Sequence, residues 1–129
     1  MDKALWVAQF VAGAFFVFVG VNHFTLPPGL PDQLAWMYEL SPTAHAIIGV
    51  AEILGGLGLI LPAVTRVLPQ LIPLAAAGLA ILMLGAVVYH VGRGEYLNVA
   101  SNLVWVAVLG FIAYGRWKVH PISPRVPAA

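Results

Sequence analysis

The sequence predicts an all-α, polytopic membrane protein: an antiparallel, left-handed four-helix transmembrane bundle with a short interfacial amphipathic segment in its first loop. Three observations predict it. Of 129 residues, 61% are hydrophobic and only 9% charged, with a mean hydropathy of +0.94; a water-soluble domain needs about a quarter of its residues charged to keep its surface wet. The apolar residues fall into four runs, each near the ~20 residues that cross a hydrocarbon core of about 30 Å. Those runs do not alternate apolar with polar, and four strands cannot close a barrel, so the spans must satisfy their backbones as helices.

The first run covers about residues 4–24. It follows Lys3, and Ala12-Gly13-Ala14 loosely imitates a cleavage site, but the apolar stretch outlasts the roughly 7–15 residues of a signal-peptide core, so an uncleaved span is expected. The connection over residues 25–42 is the only long one. Its Pro27, Pro28 and Pro31 oppose a helix, and Asp32 then reads as an N-cap for an amphipathic segment over residues 33–40, whose Leu34, Trp36, Met37, Tyr38 and Leu40 suit a membrane interface. Ser41-Pro42 opens the second span, about residues 43–61, which Pro62 is expected to stop. The third span covers about 68–90 and ends at Gly92 and Gly94; the fourth covers about 96–117. A proline-rich tail over 121–129, with Pro121, Pro124 and Pro127, is expected to be flexible. The whole is one four-span domain over residues 1–120.

Basic residues set the expected direction. Lys3, Arg66, Arg116, Lys118 and Arg125 fall on one side and only Arg93 on the other. Both termini are therefore expected in the cytoplasm, in a bacterial cytoplasmic membrane, with the long loop outside. Trp6, Trp36, Tyr96 and Trp117 fall at the interfaces.

Helices in lipid associate through small residues and polar links more than through apolar burial. Each span carries such a face at alternating three- and four-residue spacing. The first offers Gln9, Gly13, Phe16, Gly20 and His23; the second His45, Gly49, Glu52 and Gly56. The third offers Ala75, Gly78, Leu82, Gly85 and Tyr89, and the fourth Asn98, Asn102, Trp105 and Leu109. This spacing is the seam of a left-handed bundle.

Depth within the spans locates candidate chemistry. Asn22, His23, His45, Tyr89, His90, Asn98, Ser101 and Asn102 all fall in the outer half, while the inner half offers little beyond Gln9. The pattern predicts a polar, outward-opening pocket with Glu52 near its floor, because an ionisable side chain within the bilayer faces a cavity or a partner. His45, His90 and Asn102 are the expected partners of Glu52. The ligand-binding candidates are Glu52, His45, His90, Asn102, Asn98, Tyr89, His23 and Asn22; the candidates for acid–base catalysis are Glu52, His45 and His90. The alternative for Glu52 is a hydrogen-bonded lock within the bundle.

Other chemistries are disfavoured. His23, His45 and His90 lack the i, i+4 spacing that marks a metal or haem site. Ser101 is the only serine inside a span, and no nucleophilic triad follows from spacing. Gly55-Gly56-Leu57-Gly58 follows no strand and is no nucleotide loop. The chain has no cysteine, which excludes thiolate metal sites and thiol relays, and its net charge of +1 without a basic tract leaves no nucleic-acid footprint. His120 is expected in solvent, and Arg93 and Glu95 at the ends of the third and fourth helices.

Taken together, Gly13, Gly20 and His23-Phe24, the segment Ile47-Ile48-Gly49-Val50-Ala51-Glu52-Ile53-Leu54-Gly55-Gly56, Pro73-Leu74-Ala75-Ala76, Gly85-Ala86-Val87-Val88-Tyr89-His90, Asn102-Leu103 and Tyr114-Gly115-Arg116 resemble the DoxX and DoxX-like family of small four-span membrane proteins. The resemblance covers about residues 4–118 and is most specific around Glu52. Members often have lysine at the position of His23. The resemblance implies the four-helix fold. For function it implies association with quinone-linked sulfur oxidation or other redox enzymes, or, in distant animal relatives, receptor assembly. Lacking cysteine, this chain cannot handle sulfur through its own thiols.

Three functions follow as expectations. The first is an accessory subunit that binds an apolar molecule, a quinone or a lipid, in the outward pocket, linked to a membrane redox system. The second is a scaffold or assembly factor for another membrane protein, or a homo-oligomer. The third is an intramembrane acid–base enzyme using Glu52 and a histidine.

Overall fold

The computed structural model describes residues 1–126. Helix α1 spans Asp2–Asn22, α2 Pro42–Thr65, α3 Leu71–Gly92 and α4 Tyr96–Tyr114, with a π-turn over Gly115–Val119 extending α4. A 3₁₀ segment, Asp32–Glu39, lies between α1 and α2. At about 1.5 Å per residue each long helix can cross a bilayer, and all four are apolar enough to do so. Their outward faces suit lipid as the solvent: Val88 is 73% exposed and Ile81 70%. The chain is an integral, multi-pass membrane protein.

The four helices follow one another around the bundle. α1 lies along α2 and α3 along α4; contact between α2 and α3 joins the two hairpins, and a thinner contact of α1 with α4 closes the ring. The α1–α2 pair is the tightest by geometry. A Cβ on Gly56 would stand 2.6 Å from the Gly13 carbonyl oxygen and 2.9 Å from the Val17 nitrogen, and one on Gly20 would stand 2.9 Å from the Gly49 carbonyl oxygen. Backbone touches backbone at both points, so only glycine fits there. Between them Phe16 is fully buried, and Phe15 stacks on Trp105 of α4 with centroids 4.4 Å apart.

Several boundaries differ from the sequence reading. Pro62 does not stop α2. A proline near a helix end removes only one backbone donor, and α2 continues to Thr65, ending where Arg66 turns left-handed (φ 58). That turn, with a second left-handed residue at Leu68, delays α3 to Leu71. Ser41 caps α2 as its position suggests, its Oγ accepting from the Ala44 N–H at 3.1 Å. Asp32 caps nothing; Pro31 holds the N-cap position of the 3₁₀ segment. The third seam also differs: a Cβ on Gly78 or Gly85 would meet nothing within 4 Å. α3 buries instead Ile72, Ala76, Leu79, Met83 and His90.

The tail is held as far as it is described. Ile122 packs against the core, the Arg125 N–H donates to the Arg66 carbonyl (2.8 Å), and Arg66 Nε donates to the Ser123 carbonyl (3.0 Å). These bonds reach the first residues of the proline-rich tail; Pro127 lies outside the described residues.

The two crossings make a stability prediction. Gly56→Ala forces α1 and α2 apart and is expected to cost about 1–3 kcal/mol. Gly85→Ala faces open space and is expected to stay within about 0.5 kcal/mol of the parent. Thermal unfolding of both variants in one detergent tests this; equal midpoints would remove the crossing from the account.

Candidate functional site

The crossing of α1 and α2 decides which polar groups meet. Gly20 lies one turn before His23, and Gly49 lies one turn after His45 and one before Glu52. The close approach therefore brings all three side chains together. His23 Nδ1 and His45 Nδ1 are 2.8 Å apart, His45 Nε2 is 2.8 Å from the Met37 carbonyl oxygen, and His23 Nε2 is 3.4 Å from Glu52 Oε2. His23 and Glu52 are 6% and 5% exposed, so water scarcely reaches them.

The protons in this chain can be assigned from its far end. A carbonyl only accepts, so His45 Nε2 carries hydrogen and donates to Met37. Neutral His45 then accepts at Nδ1, so His23 Nδ1 donates to it. Neutral His23 is left with a bare Nε2 facing Glu52. Two acceptors cannot bond each other; one further proton must enter the chain, on Glu52 or on one of the two imidazoles, for that pair to attract. At 3.4 Å Glu52 Oε2 has no hydrogen-bond partner among the described residues. The three groups form a proton chain whose inner end is incompletely satisfied.

The site is covered, not open. The outward-opening pocket expected from sequence is closed by the 3₁₀ segment, which places Met37 in the buried interior and Trp36 over the histidines. Trp36 meets His90 edge-on with centroids 5.0 Å apart and lies 6.3 Å from His23; its indole N–H is buried without an acceptor among the described residues. Four contacts pin the segment. The Met37 carbonyl accepts from His45, the Gln33 carbonyl accepts from Asn98 Nδ2 (3.0 Å), Tyr38 Oη donates to the Pro27 carbonyl (2.5 Å), and Glu39 pairs with Arg93 (2.6 Å).

The remaining candidates divide. His90 does not reach Glu52: its Nδ1 donates to Glu95 Oε2 (2.6 Å), outside α3. Tyr89 packs against Trp36 and carries the Arg93 guanidinium over its ring at 5.3 Å. Asn98 holds the cap instead of lining a pocket. Asn22 and Asn102 are half-buried and Ser101 is exposed; Asn102 is not brought to Glu52. His23, a ligand-binding candidate that the sequence reading does not place among the expected partners of Glu52, is the residue that touches Glu52.

A second polar cluster joins the termini. Arg116 is 4% exposed. Its Nε donates to Gln9 Oε1 (2.8 Å), and its Nη1 donates to Asp2 Oδ1 (2.7 Å) and the His120 carbonyl (3.0 Å). Gln9 passes the link onward, donating to the Leu59 carbonyl (2.6 Å). Sequence reading counted Arg116 as a topology charge and His120 as solvated. The signal available was Asp2 and Gln9, an acid and an amide at the depth where α4 ends.

Near the cap, electrostatics give a pH dependence. The hydrogen bond from His90, supported by Arg93, holds the Glu95 carboxyl below the usual carboxylate range against partial desolvation, while Glu39 and Glu95 raise Arg93 further above its ordinary value. A carboxylate with a depressed folded value stabilises the fold above its ordinary pKa, about 4.3 for glutamate, and loses that contribution as pH falls through the depressed value. Hydrogen exchange of the amides over residues 32–39, corrected for intrinsic rate, is expected to stay constant from neutral pH to about 5 and to quicken below about 4.3. Glu95→Gln should flatten the profile; an unchanged profile would place the latch elsewhere.

The comparisons with known proteins bear on the same residues. No curated protein and no solved structure matches the chain. The DoxX-like family profile matches residues 7–112, which include His23, His45, Glu52 and His90. With most of its length matched and four helices long and apolar enough to cross a membrane, the chain belongs to the DoxX-like family.

Proposed function

We propose that the protein is an integral membrane accessory subunit that binds the head of an apolar, proton-exchanging molecule, a quinone being the fitting class, beside Glu52 and His23. One observation carries this reading: a buried carboxylate oxygen without a partner, 3.4 Å from an imidazole that needs one more proton to bond it. An oxygen of a quinone head inserted there accepts a proton in one redox state and donates it in the other, satisfying both side chains. His23 and His45 then relay the proton toward the loop end. Trp36 supplies an aromatic surface for the ring, and the apolar tail extends into lipid. Entry requires residues 32–39 to swing away. The basic residues favour the cytoplasm for the terminal end of the bundle, which puts this site in the outer half of the membrane.

The proton arrangement favours a second reading, an intramembrane acid–base enzyme with the same Glu52 and His23. Native mass spectrometry of the protein gently extracted from its own membrane separates the two. A quinone at fixed ratio, its affinity reduced about tenfold or more by Glu52→Gln through loss of a charged hydrogen bond, is the expected result. A chemically altered product released only by the parent would favour the enzyme. Bare protein, or protein carrying only a second membrane protein at fixed ratio, would sink the binding reading and leave the scaffold.

A further inference from the structure

The terminal end of the bundle holds a site independent of the histidine chain. Arg116 is buried, yet among the described residues only two of its three guanidinium nitrogens are used, and Nη2 meets no acceptor there. A buried guanidinium is a strong donor fork, and leaving one arm empty is costly. Arg116 also stands in the wall of a cavity of about 360 Å³, which is otherwise mainly apolar, with Pro69, Leu74, Trp117 and Ile122.

Leu74 is shared with a second groove, of about 440 Å³, between α2 and α3. Gly55, Gly58 and Gly78 line that groove, and its α3 wall runs from Leu71 to Leu82, about 16 Å along the helix axis. Among the described residues no side chain fills the space above Gly78, where an added Cβ would meet nothing within 4 Å. A polar head position and a long apolar channel thus adjoin at one residue.

Charge names the head. Lys3, Arg66, Lys118 and Arg125 accompany Arg116 at this end against the single acid Asp2. Arg66 is tied through Ser123 to the segment that walls the cavity. A planar guanidinium with a free arm, flanked by further cations, suits a phosphate.

We propose that this end of the bundle binds an anionic phospholipid of the adjoining leaflet, its phosphate at Arg116 and one acyl chain in the α2–α3 groove. The phosphate gives Nη2 its missing acceptor, and the chain covers Gly78, the groove glycine that no described side chain covers. Bound there, the lipid would tie α2 and α3 to the docked tail.

The test uses the full chain, delipidated in mild detergent, with three probes: phosphatidylglycerol, phosphatidylcholine of the same acyl chains, and inorganic phosphate. Native mass spectrometry and thermal unfolding are the readouts. Phosphatidylglycerol is expected to give a one-to-one adduct and a raised midpoint, with neither effect from the other two. Gly78→Leu fills the groove without touching Arg116 and is expected to lose the adduct while the lipid-free midpoint stays unchanged. Arg116→Lys keeps the charge but not the fork and is expected to bind about tenfold more weakly. An equal response to phosphatidylcholine would overturn recognition of the head. A response to inorganic phosphate alone would make this a free-anion site, and an undiminished adduct in Gly78→Leu would remove the chain from the groove.

Discussion

Two backbone contacts, Gly13 against Gly56 and Gly20 against Gly49, set the distance between α1 and α2, and the arrangement of the polar interior depends on that distance. Apolar burial cannot hold helices together in lipid as it does in water, because the tails are as apolar as the side chains. Close contact and polar links must do so. The glycines let the helices approach until His23 reaches His45 and Glu52, and until Gln9 reaches the Leu59 carbonyl. An added methyl group at either crossing would move both sets of partners at once.

The polar groups are therefore gathered at two levels of one helix pair, and each level recruits a different neighbour. At the loop end the neighbours are the 3₁₀ segment and the α3–α4 turn, joined through Glu39, Arg93, Glu95 and His90. At the terminal end the neighbour is the π-turn after α4, whose Arg116 binds both Gln9 and Asp2. Between the levels the core is apolar: Phe16, Leu79, Met83, Leu109 and Ile112 are buried there. Among the described residues the loop-end cluster leaves two polar atoms without a partner, Glu52 Oε2 and Trp36 Nε1, and the terminal cluster leaves one, Arg116 Nη2. A native interior seldom leaves such atoms, which is why each invites a ligand of the complementary kind.

The seams of α1 and α2 were legible in the residues themselves because glycines and polar side chains share one spacing and contrast with everything around them. The α3 seam was not. Gly78 and Gly85 mimic the same spacing on the wrong face, while the residues that pack, Ile72, Ala76, Leu79 and Met83, are as apolar as those facing lipid. Hydropathy carries no contrast there. The cap was read as a membrane-surface segment because Trp36 and Met37 suit an interface as well as an interior; only tertiary contact decides between them. The place of Arg116 in the terminal cluster is hidden for a related reason: the rule that counts basic residues for topology is blind to whether a guanidinium is in solvent or buried against an amide. Glu52 was legible from its depth alone, but its partner was not, since His23, His45 and His90 all stand at helix ends and the crossing angle selects among them.

The bond from His45 to the Met37 carbonyl couples two properties that are ordinarily separate. That carbonyl dictates which nitrogen of His45 carries hydrogen, and through it which nitrogen of His23 does. The bookkeeping of hydrogens three groups deep in the membrane is thus written by a backbone atom in a surface loop. Displacing the loop erases the rule: both imidazoles become free to exchange tautomers, and the chain loses its direction. Covering the site and ordering its protons are one event, so the interior has a defined polarity only while it is shut.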